Sequence, residues 1–82
     1  MNVVQYLFVN KGLGMSTGKA AAQVAHASVL GFDNSGPATL VNAWLNSGYT
    51  KLVMEARDES HLRNIQEYLK EKGFQTFPII DE

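Results

Sequence analysis

No two strand-like segments of this chain are neighbours in sequence, because at least one segment that reads as a helix separates each from the next. Strands joined in this way cannot form tight hairpins. They cross over and align mainly parallel. The strand-like runs are Val3–Val9, Thr50–Ala56 and Phe74–Ile80, all rich in apolar β-formers. The first is broken only by Gln5 and reads as a strand covered on both faces. Pro78 marks the third as an edge or bulged strand. Between the first two runs lie two helices. One starts at Ser16 or Thr17 and runs to about Leu30, with Gly31 placed to end it; the other starts at Pro37 and stops before Gly48. A third helix is capped by Asp58, buries Leu62, Ile65 and Leu69, and ends at Gly73. The order β-α-α-β-α-β predicts a small layered α/β fold with a mixed or mainly parallel sheet and helices on both faces. Residues 1–82 are too few for more than a single domain.

Composition narrows the chemistry. The chain has no cysteine, so neither a disulfide nor a thiolate metal site holds it together. His26 and His61 have no second ligand at a metal spacing, so no metal is expected. The apolar start is too short for a secretory leader or a membrane span, and a cytoplasmic location without membrane contact is the expectation. A net charge of −1 is not the profile of a strongly basic nucleic-acid binder. Its distribution is uneven, however. Lys11 and Lys19 are the only charged side chains in residues 1–32, whereas residues 33–82 carry five basic and eight acidic ones. An anion is therefore expected to dock on the first third of the chain.

That third contains a loop, Asn10–Thr17, with Gly12 and Gly14, followed by Gly18-Lys19 at the start of a helix. Free N–H groups at a helix start attract phosphate, and a lysine there is unfavourable until an anion arrives. The spacing is not that of a nucleoside-triphosphate P-loop: five residues separate Gly12 from Gly18, and Ala20 follows the lysine. On the helix, Ala20, Val24 and Ala27 share the side expected to face the sheet. Lys19, Gln23 and His26 recur at i, i+4 and i+7 as a polar stripe. The remaining surface is small or apolar, so the helix is expected to be covered on more than one side, with the stripe lining a groove. His26 alone reads more often as a hydrogen-bonded structural histidine, and on the stripe with Lys19 and Gln23 as a group that donates to a substrate or positions a water; His61 reads as a surface residue. Asp81 follows an apolar strand end, where ligand crevices form in open α/β sheets and a carboxylate can polarise a water, although from the residues alone a solvated terminus is the stronger reading.

The run Met15-Ser16-Thr17-Gly18-Lys19-Ala20-Ala21-Ala22-Gln23-Val24-Ala25-His26-Ala27 resembles the signature of the type-two peptidyl-tRNA hydrolases. Trp44 before Gly48, the strand Lys51–Ala56, Asp58-Glu59 opening a helix, and Phe74–Asp81 are similar to that family in order and spacing. The resemblance implies hydrolysis of the ester between a peptide and the 3′ end of tRNA, with no cofactor and with peptidyl-tRNA as partner. It implies that Lys19 stabilises negative charge, Asp81 orients or activates water, and His26 and Gln23 shape the groove. Gly18 would admit the terminal nucleotide, with Met15 and Thr17 beside it. The chain departs from the pattern at Thr17, where the family has a second lysine, at Ser16, where it has glycine, and at Asn10 and Gly12, where it has an arginine and an acidic residue. After the position of Glu82 the family pattern continues through Gly-Arg-Thr, a turn and a last apolar strand. An open sheet edge is therefore expected, to be filled by a partner strand or by homodimer formation. The alternatives to catalysis are a domain that only binds tRNA or another phosphate ligand, and a protein-interaction module using that edge.

Overall fold

The structure is a computed structural model that describes residues 3–79. Strand β1 (Gln5–Asn10) leads through a 3-10 turn (Lys11–Leu13) into helix α1 (Thr17–Asn34), then α2 (Ala38–Asn46), strand β2 (Lys51–Ala56) and α3 (Glu59–Glu71). The two strands pair in parallel, from Gln5 opposite Lys51 to Asn10 opposite Ala56. The fold is a small α/β fold, and its parallel pairing follows from the helical crossover between the strands.

Partners in a parallel ladder point to the same side. Gln5, Leu7 and Val9 thus share a face with Lys51, Val53 and Glu55. Helix α1 covers the β1 part of that face. The Gln5 amide Nε2 donates to the Ser28 carbonyl at 3.0 Å, and the Ser28 hydroxyl donates to Gln5 Oε1 at 2.6 Å. The one polar residue in the first apolar run is therefore a two-point clamp on α1, with Leu7 buried beside it. Trp44 anchors α2: it is buried, its Nε1 donates to the Thr50 carbonyl at 2.8 Å, and its ring meets Tyr49 edge-on at 5.7 Å. Helix α3 lies against both strands. Its cap Asp58 accepts from His61 N at 2.8 Å, and His61 Nδ1 accepts from Arg57 N at 3.0 Å. His61, read as a surface residue, is half-buried and closes the β2–α3 turn. At the other end Gly73, at φ +86°, donates to Lys70 O while Phe74 donates to Leu69 O, the paired bonds of a Schellman stop.

Several boundaries differ from the sequence reading. Helix α1 does not stop at Gly31 but continues to Asn34. Gly31 is buried inside the helix, where a Cβ would lie 3.2 Å from Gln5 Nε2. This glycine serves close packing, not a left-handed turn. Pro37 caps α2 from outside as its N-cap, so the first helical residue is Ala38. Strand β1 is not covered on both faces, because Tyr6 is 55% exposed. The expected third strand, Phe74–Ile80, makes no ladder over 74–79, and Ile80 lies outside the described residues. Pro78 has no N–H to donate, and that segment is held by side chains instead. Gln75 exchanges bonds of 3.2 and 3.0 Å with the backbone of Gly36, and Gln66 Nε2 donates to Thr76 Oγ1 at 3.1 Å.

The loops after β1 and β2 touch at Gly12. A Cβ there would lie 2.9 Å from the Arg57 carbonyl oxygen, 3.1 Å from Asn10 Oδ1 and 3.3 Å from Asp58 Cα. Two of these three neighbours are backbone atoms and cannot swing aside. Gly12→Ala is therefore expected to cost about 1–3 kcal/mol, seen as a lower urea midpoint at unchanged m-value. Gly18→Ala adds a methyl to open space within a helix, and is expected to leave stability unchanged or raise it by up to about 1 kcal/mol.

Candidate active site at the carboxyl ends of the strands

Both strands end on the same side of the molecule, and the chain turns there into α1 after β1 and into α3 after β2. Ser16 caps α1: its hydroxyl accepts from Lys19 N at 3.2 Å and its carbonyl from Ala20 N at 2.9 Å. The N–H groups of Thr17 and Gly18 find no partner among the described residues. No acidic side chain lies in this first turn to offset the positive helix end. Gly18 has open space where a side chain would stand, Thr17 is exposed, and Met15 is half-buried just before the cap. Lys19 is exposed and makes no ion pair among the described residues, whereas nearby Lys11 lies 3.7 Å from Glu55 and Arg63 lies 2.7 Å from Glu59.

The polar stripe is divided by its surroundings. Lys19 and His26 are open to solvent, and His26 stands about 10 Å further down the axis at 1.5 Å per residue. Gln23 is half-buried, on the edge nearer Ala20 and Ala27, the half-buried residues of the side read as sheet-facing. Its Oε1 is buried and accepts no hydrogen bond from the described residues. An amide oxygen left in this way costs about 1–3 kcal/mol. Asp81 lies outside the described residues. Among the described residues no three His, Asp or Glu side chains gather to hold a metal ion. Sequence reasoning passed over Arg57, an exposed cation at the end of β2 whose backbone abuts Gly12. The available signal was its place directly after a strand, the position from which α/β folds project binding groups.

Two free N–H groups and an ammonium on one helix end can hold an anionic oxygen, whether on a phosphate or on a carbonyl under attack. The fold and this site define a small α/β protein with an open, positively charged helix end. Comparison with known proteins supplies the class. Residues 3–82 match the family model described as peptidyl-tRNA hydrolase PTH2. A peptidyl-tRNA hydrolase of Methanopyrus kandleri is 36% identical over 94% of this chain and 67% of its own length. One from Pyrobaculum aerophilum is 33% identical over 99% of this chain and 71% of its own, and one from Halobacterium salinarum is 35% identical over 94% and 68%. No solved structure gives a significant match. The chain belongs to the PTH2 family of peptidyl-tRNA hydrolases and is a hydrolase of that family. Among the described residues no helix is long and apolar enough to cross a membrane.

The unmade bond at Gln23 generates a test. Gln23→Leu removes the orphan acceptor at similar volume and is expected to raise unfolding stability by about 1 kcal/mol in urea titrations. A loss of stability would show that Oε1 is bonded within the free protein.

Proposed function

We propose that this chain cleaves the ester joining a peptide to the 3′ end of tRNA. The observation that carries the reading is the exposed Lys19 ammonium beside the open N–H groups of Thr17 and Gly18, on a chain of the PTH2 family. In the proposed reaction water adds to the ester carbonyl and the carbonyl oxygen takes up negative charge. Lys19 and the helix-end N–H groups stabilise that charge. Asp81 accepts the proton of the attacking water and returns it to the ribose oxygen of tRNA as the ester C–O bond breaks. Gly18 lets the terminal nucleotide approach the backbone, with Met15 and Thr17 bordering it. Gln23 and His26 shape the groove along α1. The proposed setting is a single domain in the cytoplasm, with peptidyl-tRNA as partner and with self-association of the chain.

A second reading is a domain that binds tRNA ends without cleaving them. It is favoured by the departures at Thr17 and Asn10, which leave fewer cations for phosphates than the family pattern has. Release of tRNA from labelled peptidyl-tRNA separates the two. Cleavage by the parent, with kcat/KM reduced about 10²–10³-fold in Lys19→Ala, is the expected result. Salt-dependent binding without cleavage would establish the second reading in its place.

A further inference from the structure

Lys19 is not the only unneutralised cation on the side where the strands end. Of the seven basic side chains, Lys51 starts β2 while Lys70 and Lys72 close α3, all away from the site. Lys11, Lys19, Arg57 and Arg63 follow the strand ends. Lys11 is paired with Glu55 and Arg63 with Glu59. Arg57 is exposed, and its guanidinium makes neither a hydrogen bond nor an ion pair among the described residues. The carboxylate next to it in sequence, Asp58, is turned to α3 as its cap.

The backbone that carries Arg57 is held from two directions. Its N–H donates to His61 Nδ1 at 3.0 Å, and its carbonyl oxygen lies 2.9 Å from where a Cβ on Gly12 would stand. A cation on a fixed base gives up less freedom on binding than one on a mobile loop. The contact at Gly12 also ties Arg57 to the start of α1. Gly12 and Thr17 are five residues apart, a span of at most about 18 Å. A stacked strand of nucleic acid places a phosphate about every 3.4 Å, so Arg57 stands within about five phosphates of a nucleotide seated on the Thr17–Lys19 turn. The path between them, residues 11–19, carries no acidic side chain to repel a phosphate. Arginine suits the task, because its planar fork bonds two phosphate oxygens at once.

We infer that Arg57 holds a backbone phosphate near the 3′ end of tRNA, as a second anchor beside the Lys19 site. The inference rests on tRNA being the substrate proposed above, and it concerns binding, not the chemical step.

The test uses the full chain with deacylated tRNA for binding, and two substrates for cleavage: peptidyl-tRNA, and a peptide ester of a single nucleoside, which has no phosphate. Arg57→Gln is expected to weaken tRNA binding about 10-fold and to lower the slope of log affinity against log salt by about 0.7–0.9. KM for peptidyl-tRNA rises by the same factor, and the preference for it over the nucleoside ester, as a ratio of kcat/KM, falls about 10-fold. Arg57→Lys restores the salt slope but only part of the affinity. Both variants are expected to keep the parental urea midpoint, since the bond to His61 is made by the backbone. Unchanged tRNA affinity and salt slope in Arg57→Gln would overturn the inference. Equal losses on both substrates would do so too, because a phosphate contact cannot act on an ester that has none. A parent chain that binds tRNA through Arg57 without cleaving peptidyl-tRNA would support this inference and overturn catalysis. Cleavage with tRNA binding indifferent to Arg57 would do the reverse, and a parent that does not bind tRNA would overturn both.

Discussion

The arrangement depends on the close approach of two loops at Gly12. Parallel strands bring their carboxyl ends to one side, but they do not by themselves bring the following loops into contact. Here the first loop passes so near the second that the Arg57 carbonyl occupies the space of a side chain. Asn10 holds the turn by accepting from Gly12 N at 2.9 Å, and Gly14 at φ +61° redirects the chain into α1. The start of α1, with Thr17, Gly18 and Lys19, is placed by that path. On the other side the Asp58–His61–Arg57 bonds fix the start of α3.

Helix α1 does different work on each side. Its buried side is clamped to β1 through Ser28 and Gln5 and passes close by virtue of Gly31. Its first turn and polar stripe carry the proposed chemistry. Its third side is apolar and open. A helix with five alanines among its 18 residues can serve all three because it is narrow and because alanine favours the helix without help from packing.

Stability and function pull apart at the site. The buried, unbonded oxygen of Gln23 and the lysine on a positive helix end each disfavour the free protein. The proposed substrate would relieve the second by bringing negative charge to Lys19. The burial pattern is thin elsewhere: Leu7, Trp44 and Ala56 are the buried hydrophobic residues among those described. So little core leaves apolar surface on the outside, and the apolar side of α1 is part of it.

Much of this was legible in the sequence. Helices between strand-like runs dictated parallel crossover, Ser16 and Asp58 announced their helix starts, and the run from Met15 to Ala27 carried the family resemblance. Each of these is a local pattern, set by what neighbouring residues can do with the backbone. The roles of individual glycines were not legible, because Gly31 and Gly73 look alike in sequence: one packs inside a helix and the other ends one. Nor could the third strand be judged from its apolar content, since a ladder needs a neighbour with free N–H and carbonyl groups. The sequence by itself determined the elements, their order and the residues on each side of α1. Only the tertiary structure decided that Gln23 Oε1 is buried without a partner among the described residues, that Gly12 has backbone where a side chain would stand, and that the apolar side of α1 is open. Those three facts depend on contacts between segments far apart in the chain, which no local pattern records.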